Sequence, residues 1–93
     1  MEYEWDESKN RSNIEKHSIG FDDAIRIFER PILEKADQRQ DYGEDRIVVV
    51  GLLADKEVVV VYTVREGNRR IISARRANRD ERAAYRKRYS TQN

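Results

Sequence analysis

The chain has no cysteine and only one histidine, one proline and one methionine in 93 residues. Without cysteine there are no disulfides, no thiolate nucleophile and no thiolate ligand, and a single histidine leaves a structural zinc site without a ligand set. Stability without disulfides fits a reducing cytoplasm. The opening MEYEWDESK lacks the basic stretch and apolar run of a signal peptide. No apolar stretch approaches the roughly 18 residues that a membrane span requires. Walker loops, dinucleotide-binding glycine fingerprints and glycine-framed nucleophilic serines are missing as well. The acid pairs Asp22-Asp23, Glu44-Asp45 and Asp80-Glu81 read as caps or solvated turn residues. A metal-dependent hydrolase is therefore poorly supported, and no metal or cofactor is expected.

What the chain does have is charge. Charged residues make up 40% of it and apolar residues only 38%, so a thin core under a charged surface is expected, with room for a partner to add burial. The net charge of +1 is unevenly spread: residues 69–93 hold nine basic and two acidic side chains, +7, which leaves residues 1–68 at −6. Such a basic end suits phosphate or an acidic partner. Ninety-three residues leave no room for a second core, so one domain over 1–93 is expected.

The pattern of residues predicts an α+β fold. Met1-Glu2-Tyr3-Glu4-Trp5 alternates apolar and charged as a short half-buried strand, with Tyr3 and Trp5 in the core rather than serving as base-stacking platforms. Asp6 caps a helix from about Glu7 to Lys16, which Ser18-Ile19-Gly20 breaks. Phe21, Ala24, Ile25 and Phe28 recur at helical spacing, so 21–30 reads as a second short helix ended by Pro31, with Phe21, Ile25 and Phe28 as core anchors. After a possible short strand at 32–35 and a polar loop, strands 46–54 and 57–66 form a hairpin around Asp55-Lys56, and 70–77 adds a third strand. The result is an antiparallel meander of three to four strands. Asn78 and Glu81 then form a capping box that opens a final helix, whose last residues, Ser90 to Asn93, are expected to fray.

The pairing of the last two strands decides which residues share a face. A two-residue Gly67-Asn68 turn would set Thr63 and Arg65 beside Ile72 and Ala74. A longer loop or a bulge shifts the register by one. It then gathers Val60, Tyr62, Val64, Ile72 and Ala74 on an apolar face, and Thr63, Arg65, Ser73 and Arg75 on a polar one. Sidedness favours the second register, and with it an anion site. A metal-free ribonuclease could be built from such parts, because RNA supplies its own nucleophile, the 2′-hydroxyl. Arginine forks match phosphate oxygens. Arg65, Arg75 and Arg76 are the candidates for charge, and His17 or Tyr85 for protons. Each has an ordinary structural alternative: a solvated arginine, a helix-ending histidine, a core tyrosine. Arg82 and its basic neighbours on the last helix offer general attraction for RNA or an acidic partner. A non-catalytic module that grips nucleic acid or protein through the basic end stays open beside the ribonuclease.

Several strings together resemble one family. WDESKNRSNIEKHSIGF is similar to the W-D-x-x-K-x-x-x-N-x-x-K-H-G-h-x-F opening of the BrnT toxins, matching at Trp5, Asp6, Lys9, Asn13, Lys16, His17 and Phe21. Ala24, Ile27 and Phe28 fit an A-x-x-I/V-F string, Arg46 a G-E-x-R element, and Thr63 and Arg65 a T-x-R. Residues 70–75 read R-I-I-S-A-R, and Ala77, Glu81 and Tyr85 fit A-x-x-x-E-x-x-x-Y. The chain departs at Ser18 and Arg76, where glycine and proline are often found, and at Gly20, where a serine often caps the next helix. The resemblance implies a type II toxin with a RelE/ParE-like fold that cleaves RNA and blocks translation. It implies a BrnA-like antitoxin with a DNA-binding domain as partner, through which alone the toxin would meet operator DNA. On this reading Arg65 and Arg75 hold the phosphate, His17 or Tyr85 assists proton transfer, and Lys16, Arg46, Thr63, Ser73, Arg76 and Arg82 contact RNA.

Overall fold

A computed structural model describes residues 2–38 and 41–89; the fraying expected at Ser90 to Asn93 lies outside the described residues. The elements follow in the order β1 (Tyr3–Trp5), α1 (Glu7–His17), α2 (Phe21–Ala24) continued by a 3-10 helix (Ile25–Glu29), β2 (Leu33–Ala36), β3 (Ile47–Leu53), β4 (Lys56–Arg65), β5 (Asn68–Arg76) and α3 (Arg79–Tyr89). The fold is α+β, but the sheet has five strands in the order β1-β5-β4-β3-β2 and is mixed. The expected meander forms its centre. β2 extends it antiparallel to β3, and β1 joins the far edge parallel to β5, with Tyr3 opposite Arg69 and Trp5 opposite Ile71. Parallel pairing of segments more than sixty residues apart leaves no local signature, so the two short outer strands could be read but not where they pair.

The second helix also differs from expectation. Only Phe21–Ala24 is α-helical, and the chain tightens to three residues per turn over Ile25–Glu29. Spacing of three puts Phe21, Ala24 and Ile27 on one stripe, and all three are fully buried, whereas Ile25 and Phe28 are only partly covered. Ile27 replaces Ile25 as the anchor. It sits directly on Gly51 of β3, where a Cβ would lie 2.8 Å from the Ile27 Cβ.

The β4–β5 hairpin turns through Glu66-Gly67, both at positive φ (53° and 82°), with Arg65 opposite Asn68. That two-residue turn alone would give the wrong faces further along. A bulge between Val61 and Tyr62 corrects them: Tyr62 pairs with Ile71, Val61 with Ser73, and Ile72 is the extra residue. Ile71, 1% exposed, therefore takes the core place expected for Ile72. Thr63, Arg65, Ser73 and Arg75 do share a face.

The two faces differ. One is closed by α2, the 3-10 helix and the preceding residue Ile19, over Val49, Val58, Val60, Tyr62, Ile71 and Ala74, with Tyr3 and Trp5 packed at its margin. The other is covered at one end only, where Tyr85 and Tyr89 of α3 pack with Ala77 on Leu33, Val50, Leu52 and Val59. The remainder of that face is open. α1 guards the outer edge of β5: the buried Asn13 amide donates to the Ala74 carbonyl at 2.8 Å and accepts from its N–H at 3.1 Å. Asp6 caps α1 as expected, accepting from Ser8 and Lys9 N–H. The helix ends at Ser18 in the left-handed region, φ 60°, a conformation glycine would adopt without strain.

Candidate functional site

The open face carries a groove of about 520 Å³ between β2 and the start of α3. Its floor is Val48 and Val61, Ser73 and Arg75 come from β5, Glu81 from α3, Lys35 and Ala36 from β2, and Asp37 and Gln38 follow β2 along its rim. Register explains the convergence. Lys35 is opposite Val48, Val48 opposite Val61, and Val61 opposite Ser73, so all four point the same way across four strands. Arg75 is gripped by Glu81 through two bonds, Nη1 to Oε1 and Nη2 to Oε2, both 2.8 Å. That grip holds the Glu81 carboxyl below its usual range.

The arginines expected to act together are apart. Arg75 stands opposite Val59, six residues along β4 from Arg65, a distance of about 20 Å at strand rise. One phosphate cannot bridge them. Arg65 belongs instead to a second cluster at the other end of the open face. Its guanidinium lies 3.7 Å from Glu44, which also pairs with Arg46 at 3.2 Å. Arg46 stacks on the Tyr42 ring at 3.9 Å. Thr63 is buried there, its hydroxyl donating to the Asp45 carbonyl at 2.6 Å to anchor the β2–β3 loop. The hollow beside this cluster is lined by Asp37, Asp41, Glu44 and Asp45, with Arg46 as its one cation among the described residues. Acid there disfavours phosphate.

The remaining candidates fall outside the groove. His17 and Lys16 are exposed at the end of α1, beyond the β5 edge, and neither lines it. Tyr85 is 4% exposed, and its hydroxyl donates to the Pro31 carbonyl at 2.7 Å. Burial raises its pKa further from neutrality, so the geometry makes Tyr85 a packing anchor. Arg76 shares the parity of Val58 and faces away from Arg75. Arg82 donates to the Ala77 carbonyl at 2.9 Å, closing the N-terminal turn of α3. Of the ten residues singled out from the sequence, the groove therefore gathers Ser73 and Arg75. Lys35 and Glu81 were missed as site residues. Lys35 could have been found only with the β2 register in hand, while Glu81 was visible but absorbed by its role as a cap. Among the described residues no three histidine, aspartate or glutamate side chains are placed to hold a metal ion.

The α+β sheet thus has one closed face and, on the other, a groove that sets Lys35 and Arg75 beside Asp37 and Glu81. The family model for the ribonuclease toxin BrnT of type II toxin–antitoxin systems matches residues 5–81, and the chain belongs to that family. It is a ribonuclease toxin, and its class implies a protein antitoxin as partner. No curated protein matches the chain. No helix among the described residues is long and apolar enough to cross a membrane.

Proposed function

We propose that the chain is a single-domain endoribonuclease of RelE-like fold that acts in the cytoplasm and blocks translation by cutting RNA at the Lys35–Ser73–Arg75 groove. The observation that carries this reading is the bidentate arginine, Arg75, fixed at the wall of an open groove with a second cation, Lys35, three strands across the same sheet face. The 2′-hydroxyl of the substrate attacks the adjacent phosphorus, the 5′-oxygen leaves, and a 2′,3′-cyclic phosphate remains. Arg75 and Lys35 stabilise the charge that builds on the phosphoryl oxygens, Ser73 orients one of them, and Val48 and Val61 supply an apolar floor for a base. Among the described residues no imidazole or phenol lines this groove, and in this reading protons pass to and from water. No metal is needed for these steps.

The partner in this reading is a BrnA-like antitoxin with its own DNA-binding domain, through which the toxin reaches operator DNA. The test is induction of the protein in cells followed by cleavage of RNA by purified protein. Arrested growth and new 5′-hydroxyl ends are expected, both lost in Arg75→Ala. Normal growth with intact RNA would sink the reading. The rate should rise steadily with pH from 6 to 8 as hydroxide takes the 2′ proton; a bell-shaped profile would overturn this water route. The ribonuclease character of the family favours this reading over a purely binding module.

A further inference from the structure

Glu81 does two things at once. Its backbone N–H donates to Asn78 Oδ1 at 2.9 Å, and its Oε1 accepts from the Asn78 N–H at 2.8 Å, which completes a capping box at the start of α3. The same carboxylate takes both Nη atoms of Arg75. A capping box works with glutamine as well as glutamate. A two-bond grip on arginine does not, because an amide presents one acceptor and one donor where a carboxylate presents two acceptors. The negative charge at 81 therefore exceeds what the cap needs, and it lowers the positive field that draws RNA to the groove.

We propose that Glu81 is a positioning residue for the cleavage reaction: it fixes the plane of the Arg75 guanidinium toward the scissile phosphate and ties that orientation to the first turn of α3. The proposal rests on the reading of this groove as the cleavage site. It has an unusual signature, since Glu81 opposes binding and favours reaction. Removing its charge should slow cleavage while leaving RNA affinity equal or higher. A residue serving only as a cap would lower stability and change neither. A residue serving only to mask Arg75 would, when removed, speed the reaction.

The molecule contains a matched control. Arg86 also grips Glu57 through two bonds, side-on from Nε at 2.7 Å and Nη2 at 3.1 Å, tying α3 to β4 away from the groove. The test compares Glu81→Gln with Glu57→Gln in the full chain. Three quantities are read: single-turnover cleavage of an RNA oligonucleotide, affinity for the same oligonucleotide blocked by 2′-O-methyl at the cut site, and arginine side-chain 15N lines by NMR. Glu81→Gln should slow cleavage by about 10- to 100-fold, the scale of a misaligned catalytic group. Its affinity for the blocked RNA should stay equal or tighten by about 3-fold. Glu57→Gln should leave cleavage within about 2-fold, as a distant independent site does. The Arg75 lines should show slow guanidinium rotation in the wild type and in Glu57→Gln, and averaged lines in Glu81→Gln. Cleavage by Glu81→Gln at or above the wild-type rate, or a loss matched by weaker binding, overturns the proposal. Wild-type protein that cuts no RNA overturns the ribonuclease reading instead. Arg75 lines unchanged by Glu81→Gln overturn the positioning role in either case.

Discussion

Arg69 and Arg75 lie on one strand, β5, and show how differently the two faces of this sheet handle a cation. Arg69 is on the closed side, in a box of aromatic rings. Its guanidinium is 4.0 Å from the Phe28 centroid and 5.2 Å from that of Tyr62, and it donates to the Tyr3 hydroxyl at 3.1 Å. Its Nε is buried without a hydrogen-bond partner among the described residues. Arg75 is on the open side, held by a carboxylate at the groove wall with 37% of its side chain exposed. Ring faces attract a cation without offering it for exchange, so Arg69 packs. A carboxylate orients a fork that a phosphate can still approach, so Arg75 presents. Two arginines of similar appearance in the sequence thus serve different ends because of the side each faces.

The contrast makes sharp predictions. The largest effect belongs to the open face: Arg75→Ala should lower RNA cleavage per folded molecule by about 100-fold or more, the typical loss of a group that stabilises developing charge. Arg65→Ala, measured in the same assay, should do far less. Equal losses would restore a single site that includes both. The next effect belongs to the closed face. Gly51→Ala forces a Cβ against Ile27 and should destabilise by about 1–3 kcal/mol in urea unfolding, with cleavage per folded molecule preserved.

A smaller effect comes from pH. Bonds from Arg75 and Arg86 hold the Glu81 and Glu57 carboxyls below their usual value of 4.5. The folded protein therefore takes up these protons less readily than the unfolded chain. Their stabilisation is complete above the usual value and is lost as pH falls through the lowered ones. Thermal melts should be level from neutral pH down to about 5 and decline below it, with a shallower decline in Glu57→Gln. The smallest effect lies on neither face: Ser18→Gly should relieve the left-handed end of α1 and stabilise by about 0.5 kcal/mol in the same unfolding assay.

Local patterns in the sequence were enough for much of this. Asp6 and the Asn78–Glu81 pair could be read as caps because capping is decided within four residues. The faces of β4 and β5 followed from parity once a bulge was allowed. What escaped depends on distance. The tightening at Ile25 is imposed by packing on Gly51, and the parallel pairing of Tyr3 with Arg69 spans most of the chain. The site suffered in the same way. Parity placed Arg65 and Arg75 on one face but carried no measure of the strand between them. Lys35 joins the groove only through the ladder from β2 to β5.

Asn13 has a consequence for the company this protein keeps. Past Trp5, β5 has no neighbouring strand, and its backbone would invite pairing with any extended chain, including another copy. The Asn13 amide occupies the Ala74 N–H and carbonyl together, as a further strand would. One side chain thus closes β5 to a new partner at Ala74, and the sheet's margins are the two short strands β1 and β2.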